Sequence, residues 1–280
     1  MKVKIVVDSA ADIAPRLKDV FYIVPLTIMF GSAEYVDGMT MTHRQFYEKL
    51  IESDIMPTTS QVSPAAFARE FERAVNNGYD VVTVTVSSKL SGTYQSAMIA
   101  AEDFPGKVHV VDSKSVAIGE GILAQLALDL AQSGMSAAQI ADRLIIERDK
   151  IKVIAMLDTL EYLKKGGRIS KTLAFAGGLL SIKPVVSIEN GEIKILGKAR
   201  GSKQGNNLLI QQIELSGGVD FERPVLLGYT GISDELFKKY IKDSAHIWKD
   251  NIEEPDVQMI GSVVGTHAGP GAIAAAFFTK

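Results

Sequence analysis

The 280-residue sequence contains no cysteine. Disulfides, thiolate nucleophiles and cysteine-ligated metals are thereby excluded, and the composition fits a reducing cytoplasm. It has no basic excess: 30 Lys+Arg stand against 33 Asp+Glu, a net charge of −3. That balance supplies no electrostatic footprint for nucleic acid, so no nucleic-acid partner is expected. No apolar window reaches the roughly 18 uninterrupted residues of a membrane span. The richest, VAIGEGILAQLALDLA, is broken by Glu120 and Asp129. The opening MKVKIVVDSAAD turns acidic too soon for a signal peptide. A Walker phosphate loop is also missing, because the glycines of GKARGSKQGNN (197–207) do not precede a Lys-Ser/Thr pair at the required spacing. These absences predict a soluble, cytoplasmic protein with no nucleotide motif of its own; transient contact with a membrane surface stays open.

What is present is a globular composition, 46% hydrophobic and 22% charged, on a chain long enough for two ordinary domains. Apolar runs alternate with helical periods through the first half. VKIVV (3–7) ends at Asp8, YIVPLTIM (22–29) is a second run, and VVTVTV (81–86) and KVHVVDS (107–113) flank a helical YQSAMIAAEDF. This rhythm predicts right-handed βαβ crossovers and a parallel sheet. HRQFYEKLIES (43–53) has helical spacing with Phe46, Leu50 and Ile51 on one face, and Ser63-Pro64 marks the N-terminus of a helix that ends at Gly78. Beyond a boundary near residue 150 the pattern changes. PVVSIENGEIKILGKAR reads as a hairpin about Asn190-Gly191, and VQMIGSVVG and AIAAAFFT read as two closing β runs. The expected fold is α/β with two domains, a parallel-sheet α/β/α domain over 1–150 and a mixed-sheet α/β domain over 151–280.

Chemistry-bearing residues gather where strands end. Ser87, Ser88, Ser91 and Thr93 crowd around Gly92 directly after VVTVTV, and Asp8-Ser9 and Asp112-Ser113 end two other strands. Ligands in parallel sheets bind at such carboxyl ends. Ser91 lacks the G-x-S-x-G elbow, since Lys89 occupies the first glycine position. Of the four histidines, His43, His109, His246 and His267, only His267 lies in a glycine-rich setting, GSVVGTHAGPGA. That segment reads equally as a ligand loop or as a tight turn between edge strands. PTTSQ (57–61) reads as a turn capping the next helix, and Arg168 in GGRIS as a surface arginine after a helix C-cap. Asp8 reads as structural, because the D-x-D arrangement of phosphotransferases is absent; no metal site is expected.

The ordered set VVDSAADI, PTTSQVSP, VSSKLSGTYQSA, VVDSKS, LDTLEYLKKGGRIS, the KPV step and GTHAGPGA resembles the DegV family over essentially the whole chain. These are bacterial fatty-acid-binding proteins, among them the acyl-carrying subunit of fatty acid kinase. The resemblance implies a buried acyl tunnel and a long-chain fatty acid ligand such as palmitate, stearate or oleate, with no other cofactor and no catalysis by the chain itself. It implies that Thr59 and Ser91 contact the carboxylate with His267 beside them. Ser60, Gly92, Thr93, Arg168 and Arg200 become further head-group or partner contacts, the partner being a separate ATP-dependent fatty acid kinase subunit. YIVPLTIM, LAFAGGLLSI and AIAAAFF are candidate tunnel walls. A buried carboxylate needs fixed donors, which hydroxyls and helix-terminal amides supply. The alternative is a Ser/His hydrolase acting on an acyl substrate. It requires Ser91 hydrogen bonded to His267 and an acid, Asp112 or Asp8, orienting the imidazole.

Overall fold

The computed structural model describes residues 2–170 and 182–280. In the first half, β1 (Lys2–Asp8), β2 (Tyr22–Val24), β3 (Thr27–Phe30) and β4 (Ala33–Val36) lead to α1 (His43–Glu52), β5 (Thr58–Ser60) and α2 (Pro64–Asn76). β6 (Tyr79–Thr85), α3 (Thr93–Ala101), β7 (Val108–Asp112), α4 (Ile118–Gln132) and α5 (Ala137–Glu147) follow. The second half holds β8 (Ile151–Met156), α6 (Glu161–Lys165), β9 (Ile182–Glu189), β10 (Glu192–Arg200), α7 (Gly201–Leu215) and β11 (Leu226–Tyr229). It closes with α8 (Glu235–Asp243), α9 (Ala245–Trp248), β12 (Val257–Met259), α10 (Ser262–Ala268) and β13 (Ile273–Phe278).

The fold is α/β. A parallel sheet of order β2-β1-β6-β7 belongs to the N-terminal half, and a mixed sheet of order β10-β9-β8-β13-β11-β12 to the C-terminal half. In the latter only β11 and β12 run parallel. The centre of the parallel sheet is apolar on both faces: Val6, Val7, Val81, Val82 and Val84 are fully buried, as near-continuous apolar runs require. α4 lies against both sheets. Ile118, Ile122 and Leu123 share one core with Val82 and Val84 of the parallel sheet and with Ala274, Ala276 and Phe278 of the mixed one. A helix apolar on most of its circumference has to be enclosed in this way.

Local signals act as expected at several points. The Ser63 side chain accepts from Ala66 N–H with Pro64 opening α2, and Gly78 follows that helix at φ +80°. Asn190 and Gly191 both have positive φ, the requirement of a type I′ hairpin turn joining β9 to β10. Elsewhere tertiary contacts decide. Ile51 is 54% exposed, because Phe46, Tyr47 and Leu50 form the buried stripe of α1 and Ile51 lies a further 100° around the helix. Residues 58–60 are not a turn but β5, paired antiparallel with β3 in a separate three-stranded sheet, β4-β3-β5. The run VQMIGSVVG is strand only to Met259; from Ser262 it is helical, as α10. β13 is no edge strand either, since it sits between β8 and β11. The segment LAFAGGLLSI lies, except for its last residue, outside the described residues.

Candidate functional site

The loop after β6 is built on a buried carboxylate. Asp8, fully buried at the end of β1, accepts from Ala10 N–H at 2.9 Å and from Val86 N–H at 2.8 Å. Burial pushes its carboxyl up to about 6, against the lowering effect of those two amides. Glu120 of α4 lies beside it, and burial foremost, then the neighbouring Asp8, hold it well above the usual range. The hydroxyls of the loop then divide their work. Ser87 Oγ donates to Gly191 O at 2.7 Å, tying the β9–β10 hairpin to the loop, and Ser88 Oγ donates to Asp112 at 2.5 Å. Thr93 Oγ1 accepts from Val62 N–H at 3.4 Å and lies 2.9 Å from Ser91 Oγ. Ser91 alone of the four lines an apolar cavity.

That cavity holds about 920 Å³ of space between atoms, part of it open at the mouth. One wall is the face of the mixed sheet: Val153 and Ala155 of β8, Val186 and Ile188 of β9, Ile193 of β10, and Ala272 and Ala274 on β13 and the residue before it. The opposite wall comes from Ala10, Leu26, Val86, Leu90 and Ala117 of the N-terminal half, and from Val263 and Val264 of α10. Along β8 the lining residues alternate, as the pleat dictates, whereas on β9 the consecutive Val186, Ser187 and Ile188 all border the cavity. Thr59, Ser91, Arg168 and His267 bring polarity to this otherwise apolar space, with Ser187 and Thr230 adding two further hydroxyls.

α10 carries His267 in its last turn, with Nε2 3.0 Å from Thr59 Oγ1 on β5. Burial foremost, and then the positive charge of Arg168, push the imidazole down to about 4, so it is neutral at physiological pH. Its Nδ1 is buried, has no hydrogen-bond partner among the described residues, and faces Gly166. Arg168 is half-buried rather than on the surface: Nε donates to Leu90 O at 3.1 Å and Nη1 to Gly166 O at 2.7 Å. The guanidinium thus joins the GGRIS turn to the loop that presents Ser91.

The structure therefore brings Thr59, Ser91, His267 and Arg168 to one cavity, with Thr93 directly behind Ser91. Gly92 precedes α3, and a Cβ there would fall 2.1 Å from Gln61 Oε1, so a side chain would displace the Gln61 amide. Ser60 is exposed and Arg200, also exposed, precedes α7; neither lines the cavity. The arrangement a hydrolase needs is not formed: His267 Nε2 is bonded to Thr59, Ser91 to Thr93, and Asp8 and Asp112 are engaged with loop amides and with Ser88. Among the described residues no group of three His, Cys, Asp or Glu is placed to hold a metal. Ser187 inside β9 and Thr230 just after β11 are not singled out from the sequence, because isolated hydroxyls in or beside apolar strands carry no local signal.

The family model described as "Uncharacterised protein, DegV family" matches residues 2–280. A DegV domain-containing protein of Caldanaerobacter subterraneus subsp. tengcongensis is 36% identical, covering 100% of this chain and 99% of that protein. Among solved structures, the fatty-acid-binding DegV family protein from Thermus thermophilus superposes with a TM-score of 0.88 at 31% identity, covering 100% of both chains. A stearic-acid-binding protein from Eubacterium ventriosum follows at 0.87 and 28%, over 99% of this chain and 98% of that one.

Proposed function

This chain belongs to the DegV family, and on that premise we propose that it binds a long-chain fatty acid, with the acyl chain in the apolar cavity and the carboxylate at Thr59 and Ser91. The observation that carries this reading is that each hydroxyl has a neighbour able to occupy its acceptor side. Val62 N–H donates to Thr93 Oγ1, Thr93 O–H can donate to Ser91 Oγ, and the Ser91 proton is then free for an anion. With its proton on Nε2, neutral His267 donates to Thr59 Oγ1 in the same manner and frees the second hydroxyl. Chains of this kind polarise their terminal donor. The guanidinium of Arg168, next to this end of the cavity, offsets the ligand's charge.

The tail supplies the affinity. Fourteen methylenes of a sixteen-carbon chain at about 0.8 kcal/mol each set an upper figure of about 11 kcal/mol, from which the ordering of ligand and side chains subtracts. In this reading the hydroxyls hold the carboxylate and do not attack it. The chain is then a carrier that presents the carboxylate to a separate ATP-dependent kinase subunit for conversion to acyl phosphate. Support for presentation is that Thr59, Ser91, His267 and Arg168 are all half-buried rather than sealed. Native mass spectrometry before and after organic extraction tests the reading. A bound mass of a long-chain fatty acid, lost in a Thr59→Ala/Ser91→Ala double variant, is expected. A protein that neither carries nor takes up added fatty acid overturns it.

A further inference from the structure

A second cavity shares no lining residue with the acyl site, and nothing in the fatty-acid reading uses it. It holds about 660 Å³ of space between atoms, part of it open, between the loop after β1, the turn joining β4 to α1, and Gln258 of β12. Two carboxylates line it, Asp12 and Asp37, each only 3% exposed. Asp12 Oδ1 accepts from Gly261 N–H at 2.7 Å, while Asp12 Oδ2 and both oxygens of Asp37 have no partner at hydrogen-bond geometry among the described residues. The hydroxyls of Ser9 and Ser262 lie near enough to favour the charge of Asp37 without completing such a bond. His43 Nε2 stands 3.8 Å from Asp37 Oδ1. Ile13, Ile23 and Met39 supply an apolar flank.

Three buried acceptor oxygens without a completed hydrogen bond are costly, and native proteins seldom leave them unmatched. Burial disfavours the charged form of both carboxyls and raises them above their ordinary value. Lys18 (and, at Asp37, His43) acts against that rise without a hydrogen bond to the open oxygens, and a cation seated directly on those oxygens would offset the burial. A metal ion does not suit the site: among the described residues no three ligating side chains converge. A primary ammonium does, because it has three donors and no acceptor, and its alkyl stem can lie along the apolar flank. We propose that the Asp12–Asp37 cavity is a binding site for a primary alkylammonium group, carried by a free amine or by a lysine side chain. Lys18, exposed at the rim, carries a like charge that disfavours a second cation.

The test is a titration of the full-length protein followed through the Met39 methyl NMR signal, assigned with Met39→Leu. The probes are n-butylamine, Nα-acetyllysine amide, n-butanol, tetramethylammonium and Mg²⁺. Saturable shifts with n-butylamine, with acetyllysine amide or with both are expected, and which of them binds identifies the source of the ammonium. Asp37→Asn should weaken the response about tenfold or more, the loss of a hydrogen bond to a charged group, while fatty-acid retention reports that the variant is folded. Lys18→Met should strengthen it, independently of any folding defect in Asp37→Asn. The proposal is overturned if neither amine binds the parent protein, if only Lys18→Met binds them, or if butanol, tetramethylammonium or Mg²⁺ gives the same response.

Discussion

Replacing Gly166 by alanine isolates the part that His267 plays in ligand binding. Gly166 ends α6 at φ −72°, where alanine adopts the backbone without strain, so the effect of the substitution is confined to what the new methyl meets. A Cβ there falls 2.2 Å from His267 Nδ1 and 2.9 Å from Cε1. Relieving the contact to even 3.0 Å displaces the ring by about 0.8 Å, and the 3.0 Å approach of Nε2 to Thr59 Oγ1 does not survive a shift of that size. Thr59 then loses the neighbour that orients its proton toward the carboxylate. A hydrogen bond to a charged group contributes about 1.5–3 kcal/mol, so the fatty acid should bind roughly 10- to 150-fold more weakly. Gly167→Ala is the control. Gly167 has φ +72° and nothing within 4 Å of its added Cβ, so this variant should lose about 1 kcal/mol of stability from backbone strain and keep its affinity. Displacement of a fluorescent fatty acid measures affinity and urea denaturation measures stability. Equal affinity of Gly166→Ala and the parent, or equal losses in both variants, would refute the reasoning.

The raised carboxyl of Asp8 makes the native state bind more protons than the unfolded one between about pH 4 and 6, so stability falls as pH rises through that window. Relative to Asp8→Asn, the parent should lose up to about 3 kcal/mol between pH 4 and 7 in urea melts, two pKa units at 1.36 kcal/mol each with some remainder; parallel curves for the two proteins would contradict this. His267 acts in the opposite sense. Its depressed pKa means that the unfolded state takes the proton first, so ligand-free protein should lose stability as pH falls from about 6.5 toward 4, by roughly 3 kcal/mol relative to His267→Gln. An identical acid limb in both proteins would count against the buried neutral imidazole. Ser87→Ala should cost about 1–2 kcal/mol by leaving the buried Gly191 carbonyl without its donor, with fatty-acid affinity unchanged. A weakened affinity there would mean that the hairpin positions the head-group loop.

Much of this architecture is legible in the chain because the relevant signals are local. The Asn190-Gly191 turn, the Ser63-Pro64 helix start and the apolar continuity of VVTVTV each arise from backbone preference or from burial on both faces. The site is less legible, because it depends on who sits across the cavity. Thr58 to Ser60 form a strand only because β3 offers them partners, and GSVVGTHA becomes helical despite its two β-branched valines and two glycines. Arg168 reads as a surface residue until the carbonyls of Leu90 and Gly166 are seen to draw its guanidinium inward. The pairing of Thr93 with Ser91 is within reach of the sequence at a spacing of two; that of Thr59 with His267, 208 residues apart, is reached only through the family resemblance.

If the apolar cavity takes an acyl chain as proposed, its two walls have a consequence for how such a protein can diversify. Both hydroxyls of the head-group end, Thr59 and Ser91, are contributed before residue 112, whereas Val153, Ala155, Val186, Ile188, Ala272 and Ala274 line the tail from the mixed sheet. Bulk can be added to or trimmed from those sheet positions one methyl at a time while the loop proposed to hold the carboxylate keeps its geometry. Variation along the mixed sheet can therefore retune the length or bend of the accepted chain within one lineage, leaving the shared chemistry of the acid group untouched.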